Sequence, residues 1–304
     1  MGAPRNLEEV ELFLKNMFND KNIITTKSSA LRSLISFMIT QTRKNEAKEN
    51  YKLLGGKSPL VEKTKELIHS LQERLQDHYV TCAMRYTPPF SDEVIQELKK
   101  REIKDILLFP LYPQYSTTTT KSSVEDFLEN AKKLNLKAKI KIVEKFYDDP
   151  LYNKAIITQI KKTLQNKDPK EFDLIFSAHS LPVKIVQKGD PYEKEVKQNI
   201  EILQKMLQEE DLAFGDIHLA YQSKLGPVKW LEPSLEEKLK SLKNKKVLIY
   251  PISFVLDNSE TLYELHMEYA AITKKLNFQE YYVCNCPNSD ETFINFLINK
   301  IKTL

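Results

Sequence analysis

Four short segments carry residue types that could do chemistry. In Phe176-Ser177-Ala178-His179-Ser180-Leu181-Pro182, an imidazole stands just past an apolar run. Neutral imidazole accepts a proton near physiological pH or donates a lone pair to a metal. A strand-end histidine bonded only to backbone fits the same pattern, and His69, His78, His218 and His266 support no more than that. A second segment, 257–268, repeats glutamate at Glu260, Glu264 and Glu268. On a helix this i, i+4, i+8 spacing stacks three carboxylates on one face, with Asp257 or Ser259 placed to cap its start. Such a row is either a solvated face or, if partly buried, a set of crowded carboxyls that share protons. Leu262, Leu265 and Tyr269 take the other faces.

The third segment, 109–116 (FPLYPQYS), runs into Thr117–Thr120. Its aromatics and hydroxyls could line a flat apolar ligand, or its hydroxyls could only cap the next helix. The fourth, 221–231, holds the single tryptophan, Trp230, in a Gly-Pro turn context. Cys284-Asn285-Cys286 has no second cysteine pair, so a zinc or iron–sulfur site there would be short of ligands.

Runs rich in β-branched and aromatic residues predict the strands that position these segments: 79–86, 105–112, 139–146, 173–177, 216–222, 246–254 and 279–283. Between them, 61–77, 90–101, 123–134, 152–165 and 192–208 have amphipathic helical spacing. The alternation predicts an α/β protein with parallel sheets in two doubly wound domains, divided near Asp148-Asp149-Pro150. Ligands of open parallel sheets bind beyond the carboxyl ends of the strands. That rule singles out the loops 110–120, 177–182 and 251–260.

Composition narrows the classes. Of 304 residues 41% are hydrophobic and 29% charged, the balance of a globular chain. Forty-six basic against 42 acidic residues give only +4, with no concentrated basic stripe, so no nucleic-acid partner is expected. No glycine falls in a GxGxxG or GxxxxGK[ST] pattern, which argues against a phosphate cradle of those types. Three cysteines make no disulfide framework, and the start Met1–Asn6 has no apolar signal region. A cytoplasmic protein is the expectation. No segment is apolar enough to span a bilayer or carries a strong basic amphipathic face, so membrane contact would be peripheral. Oligomeric state is not readable.

Together the segments resemble the ferrochelatase family. The resemblance rests on FPLYPQYS at 109–116, FSAHSLPVKIVQKGDPY at 176–192, AYQSKLGPVKWLEPS at 220–234 and ETLYELHMEY at 260–269, with GGKSPL at 55–60 and AMRY at 83–86. It runs in order over nearly the whole chain. It implies insertion of ferrous iron, as substrate, into protoporphyrin IX in haem synthesis, with release of two protons and with no tightly bound cofactor or iron–sulfur cluster. Alternatives of the same fold are a coproporphyrin or cobalt chelatase, or a non-catalytic tetrapyrrole or metal carrier. The implied architecture is two Rossmann-like domains around a central cleft, residues 1–148 and 149–287, with the C-terminal helix 288–304 rejoining the first.

By resemblance His179 and Glu260 are the catalytic pair and the residues that meet the metal, and Glu264 and Glu268 continue the acidic row. Met1, Arg85, Tyr86, Tyr115, Ser116, Tyr192 and Trp230 fall on porphyrin-bordering positions. Asn258 stands where family members often have histidine, which leaves the proton work to His179 and Glu260. The opening MGAPRNLEEVELFLKNMF is similar to the family's segment after its first strand. The first domain is therefore expected to lack that strand, and an added upstream apolar segment to raise the melting temperature.

Overall fold

The computed structural model describes residues 1–304 except Leu225, a member of the 220–234 motif. The chain forms two compact units. One comprises Met1–Pro110, Ser116–Glu144 and Lys300–Leu304, and the other Leu111–Tyr115 and Lys145–Asn299.

The second unit carries the larger sheet. Its strands are β3 (Asp173–His179), β4 (Ile217–Gln222), β5 (Lys246–Pro251) and β6 (Glu280–Val283), all parallel in the order β4-β3-β5-β6. The first unit pairs β1 (Asp105–Leu108) with β2 (Lys139–Ile142), also parallel. A parallel strand covered on both faces is largely apolar, and β3 is buried from Asp173 to Ala178. One face of the sheet packs Ile175, Ala220, Val247 and Ile249 against Leu235, Leu239, Leu242 and Leu265. Leu265 is fully buried, so the acidic segment is held down through an apolar residue of its own. The first unit buries Val94, Ile95 and Leu98 against Phe127 and Ala131, with Ile106, Leu108 and Ile140 packed on them.

The amphipathic segments form the helices Pro59–Arg74, Ser91–Lys100, Ser122–Lys133, Pro150–Leu164 and Tyr192–Glu209. Asp148-Asp149-Pro150, read as a crossover, opens a helix: the Asp149 carboxylate accepts from Leu151 N–H (3.0 Å) and Pro150 fills the first turn. Two further helices, Glu9–Phe18 and Ser29–Leu53, lie outside the segments with amphipathic spacing. Leu31, Leu34, Phe37 and Met38 of the second are exposed, so its apolar residues trace no buried stripe to read.

The predicted strands 105–112, 139–146 and 246–254 end early, at Leu108, Ile142 and Pro251. Pro110, Pro113 and Pro251 have no N–H to extend a ladder. The run 79–86 is no strand, since its one ladder contact is an isolated bridge between Met84 and Phe90. Extended backbone becomes sheet only where a neighbour takes its N–H and C=O groups. Glu260–Tyr269 is a π-helix, not the α-helix the glutamate spacing suggested. In an α-helix the residue four on overshoots a full turn by about 40°. Closure at i→i+5 widens the turn so that it falls short instead. The three glutamates still share one side, and the row leans the opposite way.

Candidate active site

The candidate groups lie at the carboxyl ends of three adjacent strands. His179 ends β3, in register opposite Gln222, which ends β4, and Glu260 opens the π-helix after β5. The His179 N–H donates to Ser253 Oγ (3.2 Å), and the Tyr192 hydroxyl donates to the His179 carbonyl (2.9 Å), so the backbone is held on both sides. His179 Nδ1 lies 2.6 Å from the Ser180 carbonyl. A carbonyl only accepts, so Nδ1 carries the ring proton and Nε2 is left with its lone pair. That lone pair faces Glu260 Oε2 at 3.7 Å, beyond hydrogen-bond reach.

Both side chains keep an open side, each 34% exposed. Glu260 Oε2 itself is buried and has no hydrogen-bond partner among the described residues. Burial raises the Glu260 carboxyl to about 7. Glu264 is also raised to about 7, first by burial and then by the charge of Glu260, against a pull from the Ser223 hydroxyl. Burial lowers His179 from its ordinary value, with the Glu264 charge acting the other way. Near neutral pH the imidazole is therefore an uncharged base, and the two carboxyls stand ready to take or give a proton. Glu268 is exposed at the outer end of the row.

Neither Asp257 nor Ser259 caps the π-helix with its side chain as expected. Asn258 does so: its Oδ1 accepts from the N–H groups of Glu260 (2.8 Å) and Thr261 (3.4 Å). Asn258 thus sets the backbone from which Glu260 projects. Asp257 is buried, accepting from Cys286 N–H (3.0 Å) and from the Asn288 amide (2.6 Å). Cys284 and Cys286 are buried too, and burial pushes the Cys284 thiol up to about 12 and Cys286 upward as well.

The remaining candidates divide by unit. In the second, Tyr192 is buried against the His179 loop and Trp230 is brought beside it by backbone pairing. Val183 N–H donates to Lys229 O (2.9 Å) and Leu231 N–H to Leu181 O (3.0 Å). The Tyr115 N–H donates to the buried Glu195 carboxylate (2.7 Å), which also meets Lys145 Nζ (3.0 Å). In the first unit, the Met1 carbonyl accepts from Arg85 N–H (3.0 Å) and Tyr86 N–H (2.8 Å). Arg85 pairs with Asp126 (3.2 Å) and Asp20 (3.4 Å). Tyr86 is fully buried, its hydroxyl donating to Asp20 (2.8 Å). Ser116 is buried and accepts from Thr118 N–H (3.2 Å), a cap on the short π turn Thr117–Lys121.

Sequence reasoning missed Gln222, Ser253 and Ser223. Gln222 and Ser223 sit inside the quoted 220–234 motif, and Ser253 inside the loop 251–260, but nothing in a serine or glutamine sets it apart from a surface residue. Another cluster, Asp173, Asp216 and His218, gathers at the starting ends of β3 and β4, opposite His179. Asp173 Oδ1 there accepts from Asp216 N–H (3.2 Å) and the Asn244 amide (3.1 Å), which ties the strand starts together.

A parallel sheet with an imidazole and a carboxylate row beyond its carboxyl ends has the chelatase fold. Solved structures share that fold: SirB from Bacillus subtilis with Fe3+ superposes with a TM-score of 0.56 at 13% identity, covering 78% of this chain and 88% of that one. CbiX, the terminal enzyme for biosynthesis of siroheme in denitrifying bacteria, gives 0.51 at 15% identity over 78% and 88%. Residues 1–304 match the sequence model of the family described as ferrochelatase. Curated ferrochelatases are similar along almost their whole length. That of a Nitratiruptor species is 56% identical over 98% of this chain and 96% of its own. That of Sulfurimonas denitrificans is 52% identical over 98% and 95%, and that of a Helicobacter pylori strain 42% over 100% and 91%. The chain belongs to the ferrochelatase family. It is thereby an enzyme of the metal–porphyrin chelatase class.

Proposed function

We propose that the chain carries out its family's reaction, insertion of ferrous iron into a porphyrin, with His179 as proton acceptor and Glu260 and Glu264 as the carboxyls that pass the protons on. A free porphyrin holds two N–H protons, and both must leave for a divalent ion to take the ring nitrogens. Overall one ferrous ion and one porphyrin give one haem and two protons, with no change of oxidation state. The observation that carries this reading is the facing pair: an imidazole lone pair fixed by its tautomer, 3.7 Å from a buried carboxyl oxygen with no partner among the described residues. Nε2 takes a pyrrole proton, Glu260 receives it from the imidazolium, and Glu264 and Glu268 lead it toward the exposed end of the helix. The same gap suits an arriving cation, whose charge both atoms would face.

Protoporphyrin IX is the porphyrin of this reading, and coproporphyrin is the substrate to try beside it. Trp230, half-buried and paired by backbone with Pro182 of the His179 loop, supplies aromatic surface suited to a flat macrocycle, and the buried Tyr192 backs that loop. Among the described residues no helix is long and apolar enough to cross a membrane. A peripheral contact with the bilayer belongs to the same reading, supported by the exposed Leu31, Leu34, Phe37 and Met38. The test is absorbance-monitored insertion of ferrous or zinc ions into each porphyrin. Wild type turns over. His179→Ala loses about 10²–10⁴-fold in kcat at saturating metal, the range of a removed general base. Full activity in that variant overturns the assignment.

A further inference from the structure

Gln222 bonds to Glu260, to Glu264 and to the residue after His179, yet is itself fully buried. Its backbone carbonyl accepts from Ser180 N–H (2.8 Å), and Ser180 is the residue whose own carbonyl sets the His179 tautomer. Its side-chain Nε2 donates to the Glu260 carbonyl (3.2 Å) and to Glu264 Oε2 (3.2 Å). Its Oε1 accepts from the buried Ser177 hydroxyl (2.6 Å). The amide orientation follows from its neighbours. A peptide carbonyl only accepts, so the NH2 must face Glu260, and the oxygen must face Ser177, whose hydroxyl therefore donates. Both amide hydrogens are thus committed to the row. Glu264 Oε2 takes one more donor, Ser223 Oγ, at 2.7 Å.

We propose that Gln222, with its amide locked by Ser177, is the positioning residue that holds Glu264 and the first turn of the π-helix in register with the His179 loop. A π-helix starts with an unusually wide turn, and the Gln222 amide fills the acceptor that its first residue presents. The same amide fixes one oxygen of Glu264, so the other is the oxygen that meets Glu260 or a cation. Charged and titratable groups bearing on Glu264 come from two elements: Glu260 and Glu268 on its own helix, and His179 at the end of β3. Gln222 is the neutral member among them. It fixes distance and direction without adding charge. This inference rests on the reading of His179, Glu260 and Glu264 as the reacting row.

The experiment compares Gln222→Leu, Ser177→Ala, Glu264→Gln and the double variant Ser177→Ala/Glu264→Gln in zinc insertion, with protoporphyrin affinity read by fluorescence quenching. Gln222→Leu should lower kcat about 10–100-fold, the usual effect of removing a partner that orients a metal-site group. Porphyrin affinity should stay within about twofold, whereas a merely structural role would weaken both together. Ser177→Ala should lower kcat in the same direction by a few-fold, and should cost nothing further once Glu264 is already glutamine, because it acts through Gln222 on that carboxylate. If Gln222→Leu does not fold, the Ser177→Ala cycle decides alone. Wild-type kcat in the folded Gln222 or Ser177 variants, or an equal Ser177 effect in both backgrounds, overturns the inference while the row stands. Wild-type kcat in both His179→Ala and Glu264→Gln overturns the row and the inference with it.

Discussion

Strand β3 and its neighbour present a histidine facing a carboxylate at each end of the sheet, and the separation is the same. His179 Nε2 lies 3.7 Å from Glu260 Oε2, and His218 Nε2 lies 3.7 Å from Asp173 Oδ2. The pairs differ in which partner is anchored. At the carboxyl end the imidazole is fixed, by Ser180, while the facing oxygen of Glu260 is buried with no partner among the described residues. At the amino end the carboxylate is held through its other oxygen, Oδ1, by Asp216 N–H and the Asn244 amide. Asp173 thus has donors on the oxygen beside the one that faces His218, whereas the oxygen of Glu260 that faces His179 has none among the described residues. A buried carboxyl without donors, beside a lone pair held in place, has an affinity for protons near neutrality. The two pairs share a distance and differ in hydrogen bonding.

The largest test of that contrast is to remove each histidine. His179→Ala should lose about 10²–10⁴-fold in turnover, and His218→Ala should retain wild-type turnover within about twofold, both measured by metalloporphyrin absorbance. Next comes the support of the orphaned end. Leu265→Ala empties a fully buried site under the π-helix and should cost about 2–5 kcal/mol in urea unfolding, with activity falling as the row loosens.

The carboxyls themselves predict a smaller effect of opposite sign. Glu260 and Glu264 are raised by burial in the folded protein from the ordinary 4.5 to about 7. The folded state therefore binds protons more tightly than the unfolded chain. The associated stability is complete below the ordinary carboxyl value and is lost as pH rises through about 7. Glu260→Gln should thus raise the melting temperature at about pH 8 by roughly 2–4 °C, with little change at about pH 4, and should abolish most turnover. The smallest expected effect is at the cap. Asn258→Ala removes the acceptor for Glu260 N–H and should cost about 1 kcal/mol, read as a lower melting temperature.

Much of this contrast was legible in the order of residues. The apolar run Asp173–Ser177 followed by His179 marked a buried parallel strand ending in an imidazole, and its burial from Asp173 to Ala178 agrees. The recurrence of glutamate from Glu260 marked a carboxylate row after the strand that became β5. The π closure was not legible, because its i→i+5 pattern places residues four apart on nearly the same side as an α-helix does. Nor was the failure of 79–86 to join a sheet, since strand pairing depends on a neighbour and not on the run itself. Asn258 looked like a lost histidine, and its work as a cap depends on where the chain turns after Leu256.

By itself the sequence determined the class of fold and, through its motifs, the family. The candidate imidazole and carboxylates came from that family resemblance, because local residue type and spacing also fit a backbone-bonded histidine and a solvated face. The tertiary structure decided how each of the two histidine–carboxylate pairs is hydrogen-bonded. That difference rests on Gln222, Asp216 and Asn244, residues distant in sequence from the groups they hold, whose donors and acceptors meet only when parallel strands are in register. Hydrogen-bond satisfaction is a property of neighbours in space, and it is what distinguishes the two pairs here.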